Sequence, residues 1–113
     1  MLRQEIREKI LKNSLSLEKF GLNDLAWSKE NAKDLIQSIK TDHIGVLGGD
    51  VYILKPLTLE SAYDNWYCER KNTESEEEYY ARSKVESLKY IENYFSDPSE
   101  NIIFSITFTE HVD

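Results

Sequence analysis

The sequence predicts a single α+β domain over residues 1–113, with an antiparallel sheet of about four strands and helices packed on one face. Its length of 113 residues suits one compact domain with one modest core. Some segments repeat apolar residues at helical spacing, and others form short β-rich runs. No internal repeat and no linker divides the chain. These observations favour one sheet covered by helices.

Two helices are predicted in the first part of the chain. Leu2, Ile6 and Ile10 recur every four residues with charges between them, which is typical of an amphipathic helix. Ser28 is a suitable N-cap for a second helix. The apolar face of that helix comprises Ala32, Leu35, Ile36 and Ile39. The intervening segment LSLEKFGLNDLAW is apolar but irregular, and we interpret it as a packed connector.

A third helix is predicted after residue 73. Thr73 with Glu76 matches the capping-box pattern, and the sequence SDPS ends the helix. Its predicted apolar stripe comprises Ala81, Val85, Leu88, Ile91 and Phe95. The helix therefore lies between the third and fourth predicted strands.

The strands are predicted from runs rich in β-branched and aromatic residues. IGVL and VYIL flank Gly48-Gly49-Asp50, which predicts a β-hairpin whose turn contains both glycines. Lys55-Pro56 ends the second strand, because proline cannot donate to a ladder. ESAYDNWYCERK is a third strand and NIIFSITFTE a fourth. Alternation in the third strand places Trp66 and Tyr67 on opposite faces.

Composition and charge restrict the classes of partner. The formal net charge is -7 and the pI is about 4.9, which argues against nucleic acid or an anionic membrane as the main partner. An acidic surface attracts a basic protein. The one cysteine, Cys68, excludes an internal disulfide and fits a reducing compartment. The N-terminal segment does not match a secretory signal peptide, and no run approaches membrane-spanning length.

Catalytic, cofactor and metal sites are not predicted. The Gly-Gly-Asp stretch resembles the nucleotide-binding hairpin of diguanylate cyclases, but Val51-Tyr52 replaces the acidic and aromatic pair that completes that motif. The lysine and hydroxyl residues of a phosphate loop are also missing. Cys68 has no evident base, and His43 and His111 lack the spacing of metal ligands. We therefore expect no cofactor and no catalytic residue.

Two stretches have both a structural and a functional interpretation. Glu74 and Glu76–Glu78 form an acidic run, which either opposes the dipole of a helix N-terminus or attracts a basic partner. In YDNWYCER, a sheet covered on one face would bury only one of Trp66 and Tyr67. The other would be an exposed aromatic flanked by acids, a composition typical of binding hot spots. Alternatively, loops or the N-terminal helix cover the second face.

Three short stretches resemble a known family. GVLGGDVY at residues 45–52, YDNWYCER at 63–70 and YIENY at 90–94 resemble the immunity protein 40 family of bacterial polymorphic-toxin and contact-dependent inhibition systems. The resemblance implies a small cytoplasmic α+β protein that binds and blocks a cognate toxin domain, such as a nuclease or another intracellular poison; the acidic charge of the chain adds the expectation of a basic nuclease. It implies no catalysis and no cofactor, and it assigns no contact residue.

The leading hypothesis is therefore an immunity protein, a monomer or weak dimer, that neutralises a toxin by stoichiometric binding. The alternative is a small enzyme or ligand-binding domain that uses a carboxylate cluster of Asp50, Asp64 and Glu69. From charge and aromatic content alone, the predicted partner-binding residues are Asp50, Asp64, Trp66, Tyr67, Glu69, Glu76, Glu77 and Glu78.

Overall fold

The computed structural model describes residues 2–112. Three α-helices, one short 3-10 helix and five strands follow one another along the chain. The helices are α1 (Gln4–Leu11), α2 (Lys29–Ser38) and α3 (Glu76–Asn93), and the 3-10 helix is Glu18–Phe20. The strands are β1 (Leu15–Ser16), β2 (Leu25–Ser28), β3 (Val46–Leu54), β4 (Leu59–Tyr67) and β5 (Ile102–Phe108).

The strands form one sheet in the order β1-β2-β5-β3-β4, and every neighbouring pair is antiparallel. The predicted α+β class is confirmed, with five strands instead of about four. The segment interpreted as a connector contains β1 and β2, which are too short to show an alternating pattern. IGVL and VYIL are not separate strands, because β3 runs from Val46 to Leu54 without a turn.

The two faces of the sheet are covered unequally. The main core lies between the sheet and the helices and includes Ile10, Trp27, Ile36, Val51 and Phe104. A small second cluster, Leu17, Ala26 and Ile103, lies on the opposite face beside the 3-10 segment. The rest of that opposite face, toward β3 and β4, carries exposed residues and is called the open face below.

The predicted glycine turn is wrong. Gly48 and Gly49 lie inside β3, opposite Tyr67 and Trp66 of β4. The turn of the β3–β4 hairpin is at residues 55–58, where the Lys55 backbone N–H donates to the Thr58 carbonyl at 2.9 Å. The sequence correctly predicts the end of the strand at Lys55-Pro56, because β3 ends at Leu54.

Close neighbours, and not a turn, explain the glycines of β3. A Cβ on Gly49 would overlap the Ser105 carbonyl oxygen and the ring of Trp66. A Cβ on Gly48 would overlap the Trp66 carbonyl oxygen. Gly45, just before the strand, would place a Cβ 2.6 Å from the ring of Tyr80 on α3. Strand β3 therefore has no room for side chains where β4, β5 and α3 approach it.

Helix α2 begins as predicted, but α3 does not. The Ser28 hydroxyl accepts the Asn31 backbone N–H, which confirms the predicted N-cap of α2. The capping box of α3 is Ser75 with Glu78, two residues after the predicted Thr73 with Glu76. The same pattern of hydroxyl and carboxylate occurs at both positions, so the pattern alone does not choose between them.

The predicted apolar stripe of α3 is wrong in most positions. Ala81 is exposed, Val85 is 53% exposed and Phe95 lies beyond the helix with 92% exposure. The buried side of α3 instead carries a polar seam, defined here as Tyr79, Ser83, Lys84 and Ser87, which is followed by Ile91. Small hydroxyl side chains occupy this side because α3 lies close to the glycine-containing strand.

Each member of the polar seam makes hydrogen bonds to another element. Ser83 Oγ accepts the Val46 N–H at 3.0 Å, and Ser87 Oγ accepts the Trp66 Nε1–H at 2.9 Å. The Tyr79 hydroxyl donates to the Cys68 carbonyl at 2.6 Å. Lys84 Nζ donates to two carbonyls in the turn that follows α2, those of Ile39 and Asp42. Among residues 2–112, no buried side-chain nitrogen or oxygen lacks a partner.

We expect Gly49→Ala to destabilise the protein by about 2–3 kcal/mol, because the new methyl group would overlap backbone and indole atoms. The corresponding fall in Tm is about 10 °C. Gly21→Ala is the matched control: Gly21 has φ 83° and no atom close to the position of an added methyl group, so only backbone strain of about 1 kcal/mol opposes it. Thermal unfolding of both variants tests this. A Gly49→Ala variant as stable as Gly21→Ala would contradict the steric explanation.

Candidate partner-binding surface

Strand β4 is the edge of the sheet and carries three of the eight predicted contact residues, Asp64, Trp66 and Tyr67. Its pairing with β3 is interrupted once. Asp50 pairs with Asn65 and Tyr52 pairs with Ser61, so three residues of β4 lie opposite the single residue Val51 of β3. The extra residues form a β-bulge around Tyr63, whose φ is 60°. The bulge divides β4 into two paired halves.

The structure separates the two aromatic candidates, Trp66 and Tyr67. Trp66 faces the helices, where its ring stacks on Tyr90 with 4.7 Å between ring centroids and its indole N–H donates to Ser87. Tyr67 lies on the open face and is 73% exposed. Of the two alternatives, the structure shows the one in which only one of the two rings is covered, and that ring, Trp66, is half-buried. Trp66 therefore stabilises the fold, and Tyr67 is available to a partner.

The predicted carboxylate cluster of Asp50, Asp64 and Glu69 does not form around one point. Asp50 is exposed on the open face opposite Asn65. Asp64 lies on the helix side, where it accepts the Tyr94 hydroxyl at 2.6 Å. Burial, followed by this hydrogen bond and the charge of Asp64, raises the pKa of Tyr94. Asp50 and Asp64 therefore lie on opposite faces of the sheet.

A cleft elsewhere in the fold contains none of these three carboxylates. It measures about 560 Å³ and lies between α1, β2 and the end of β5. Its wall includes Arg7, Asp24, Trp27 and Phe108. The cleft and the predicted carboxylates are thus separate features of the fold.

The loop between β4 and α3 is fixed by Arg82. Its guanidinium donates to the Glu69 carbonyl at 2.7 Å and makes a bidentate pair with Glu74. It also pairs with Glu86 on the next turn of α3. The hydrogen bond from Arg82, with that from the Lys71 backbone, lowers the pKa of Glu74 to about 2. The Glu69 side chain is exposed beside this loop.

The acidic run at the start of α3 has partners within the protein. Glu78 belongs to the capping box with Ser75. Glu76 and Glu77 face His43, whose Nε2 lies 2.9 Å from Glu76 and whose Nδ1 contacts Glu77. Acids at a helix N-terminus also oppose the positive end of the helix dipole. These observations support the structural interpretation of the run and leave the carboxylates exposed.

Among residues 2–112, one group of three side chains brings potential metal-ligand atoms within 4.8 Å of one another: His43, Glu76 and Glu77. All three are exposed, and each nitrogen of His43 already faces a carboxylate. The sequence could not show this grouping, because 32 residues lie between His43 and Glu76. We assign no metal to it, since exposed ion pairs of this kind are common.

Cys68 lies in a buried environment that does not favour a thiolate. The side chain is 2% exposed, and its sulfur lies 3.6 Å from Ser87 Oγ and 3.7 Å from the Ser83 carbonyl. Burial raises the pKa of this thiol. Reactive cysteines have lowered pKa values and open surroundings, so the structure supports a packing role.

Sequence reasoning missed Tyr63 as a candidate. It is 91% exposed at the bulge of β4. A tyrosine within an apparently regular strand gives no sign of a left-handed backbone, because that conformation depends on the pairing of its neighbours with β3. The sequence therefore predicts an ordinary strand residue at this position.

The Arg82–Glu74 pair predicts a specific acid response. Because the carboxyl pKa falls from 4.5 to about 2 in the folded state, the pair stabilises the fold above pH 4.5 and this contribution disappears as pH falls toward 2. In Arg82→Met, we expect the Glu74 pKa to return toward 4.5, as measured by carboxyl NMR titration. The Tm difference between wild type and variant should shrink over the same pH range. Titration of Glu74 near 4.5 in the wild type would contradict this.

No helix among residues 2–112 has the length and apolar character that crossing a membrane requires. No curated protein and no solved structure shows significant similarity to the chain. The family model described as immunity protein 40 matches residues 16–108. This range extends from β1 to the end of β5 and covers most of the chain, which confirms the resemblance seen in the three short stretches. The chain therefore belongs to the immunity protein 40 family.

Proposed function

We propose that the chain neutralises a cognate toxin domain by stoichiometric protein–protein binding. The observation that carries this proposal is the family match over residues 16–108. The matched range contains all of β3, β4 and α3. Every predicted contact residue lies on one of these three elements or close to its end. We place this encounter in the cytoplasm, against a toxin of a polymorphic-toxin or contact-dependent inhibition system.

The charge of the chain supports a basic toxin. The net charge is -7, from 21 acidic and 14 basic residues. Asp50, Asp64 and Glu69 are all exposed on or beside β4. Toxins that act on nucleic acid need a basic surface for their substrate, and an acidic inhibitor associates quickly with such a surface. A nuclease domain is therefore the class of toxin that the charge favours.

We propose that the contact surface centres on β4 and the adjoining open face. Asp50 and Tyr67 are exposed there, and Glu69 follows at the end of the strand. Asp64 and Glu76–Glu78 lie toward the helices and would form its margin. Trp66 belongs to the proposal as a support, because its ring fixes the position of the strand and is itself half-buried.

The proposal is tested with the toxin domain encoded beside this chain. The toxin is expressed from an inducible promoter with and without the chain, and cell survival is measured. A toxin inactivated at its catalytic residues is then purified with the chain, and light scattering gives the stoichiometry. We expect rescue and a 1:1 complex. Loss of viability at excess chain, together with separate elution, would overturn the proposed function.

The association rate with this toxin should fall steeply as salt rises, while dissociation changes less, because exposed charges act mainly on the encounter. Asp50→Lys combined with Glu69→Lys should slow association about tenfold at low salt. Surface plasmon resonance across a salt series measures both rates. Glu78 is left unchanged, since reversing it would break the capping box and confuse binding with folding.

The matched control reverses two exposed acids on other elements, Glu8 of α1 and Asp34 of α2, to lysine. It changes the net charge by the same amount at a distance from β4. We expect it to slow association less than the Asp50 and Glu69 double variant does. Equal effects of the two double variants would show that net charge alone steers the encounter and that this surface has no special part.

A further inference from the structure

The strongest unexplained feature of the fold is the backbone of Tyr63. Among residues 2–112, the non-glycine residues with positive φ are Asn13 and Tyr63, both at 60°. Asparagine is several-fold enriched in this left-handed region, whereas a bulky side chain there is an outlier. Asn13 lies in the turn after α1, so its conformation needs no further cause. Tyr63 lies within a strand.

Contacts on both sides of Tyr63 hold it in this conformation. Before it, Ser61 pairs with Tyr52, and its hydroxyl accepts the Tyr63 N–H at 3.0 Å. After it, Asn65 pairs with Asp50. The intervening Asp64 is fixed by the Tyr94 hydroxyl. The bulge is therefore a built part of β4.

The ring of Tyr63 does not pack against the core of the fold. It is 91% exposed, and the adjacent Ala62, not Tyr63, packs against the main core. Backbone strain is costly, and here it positions a side chain that adds nothing to the core. Such strain indicates that the exposed side chain has a function. β4 also carries two acids, Glu60 and Asp64, and no basic residue. Glu60 is paired with Lys55 of the hairpin turn at 2.8 Å, whereas the partner of Asp64 is the Tyr94 hydroxyl, so the negative charge beside the displayed ring comes from Asp64.

We propose that Tyr63 is the central anchor of the toxin interface and inserts its ring into a pocket lined by arginine or lysine on the cognate toxin. The inference rests on the proposed function and specifies its contact residue. Tyrosine suits this role because its ring supplies a large apolar area, a face for cations and a hydroxyl. The neighbouring Asp64 and the net charge of -7 complement a basic rim around such a pocket.

The bulge also favours anchoring by a side chain over addition of a strand. An added strand needs a regular edge, and a bulge interrupts the outward row of N–H and C=O groups. Proteins use bulges to prevent edge pairing and to redirect side chains. In β4 the same local irregularity would do both.

The test uses variants that keep the left-handed backbone. Tyr63→Gly and Tyr63→Asn both accept φ 60° and remove the ring. We expect their Tm to equal or exceed that of the wild type, while the Kd for the inactivated neighbouring toxin rises at least tenfold, mainly through faster dissociation. Tyr63→Phe should retain most of the affinity, because it keeps the ring. Asn13→Gly is the matched backbone control and should leave Kd unchanged.

The outcomes separate this inference from the proposed function. If the wild-type chain binds the toxin, and Tyr63→Gly and Tyr63→Asn each change the Kd less than twofold, the anchor is overturned and the immunity function stays intact. A wild-type chain that does not bind the toxin overturns both. Hydrogen exchange of the complex adds an independent readout: slowed exchange at residues 59–67 supports the anchor, and unchanged exchange there contradicts it.

Discussion

The contact between the indole of Trp66 and the backbone of Gly49 sets the geometry of this protein. The ring lies where a Gly49 side chain would be, so β4 and β3 are held with the indole against the strand. The far face of the ring stacks on Tyr90 of α3, and its N–H reaches Ser87. One side chain thus connects an edge strand, a central strand and the longest helix. Burial of an aromatic ring with a satisfied N–H combines a large apolar gain with a fixed orientation.

The same contact determines which side chains α3 can carry toward the sheet. At positions 83 and 87 a serine hydroxyl accepts a hydrogen bond from Val46 or Trp66, which an apolar side chain could not do. Lys84, the residue after Ser83, reaches the carbonyls of Ile39 and Asp42 in the segment that follows α2. Burial lowers its pKa, whereas the nearby Asp42 and Glu77 favour its charged form. The polar seam therefore replaces nonspecific apolar contact with directed hydrogen bonds, which fix the register of α3.

The sequence predicts those features that depend on local pattern. The α+β class, the N-cap at Ser28 and the strand ending in Phe108 follow from capping chemistry and periodicity. The turn predicted from the glycines is wrong because a turn and a close approach both require glycine, and only the partner strand distinguishes them. The stripe predicted for α3 is wrong because the side of this helix that is buried is polar, so hydrophobicity does not mark it. The φ of Tyr63 depends on two separate pairings with β3 and has no local signal.

Charge and aromatic contact have different physical ranges, and in the proposed interface they belong to different residues. The acids at the start of α3 are engaged with His43 and Ser75, yet their charge still contributes to the field around the molecule. Field strength governs the encounter over about one Debye length, roughly 8–10 Å at ordinary ionic strength. The lifetime of a complex depends instead on contacts that exclude water, for which an exposed ring is better suited than an exposed carboxylate. The tyrosines displayed by β4 and the carboxylates around them can therefore change independently, and a new toxin surface could be accommodated at the strand edge without altering the seam that holds α3.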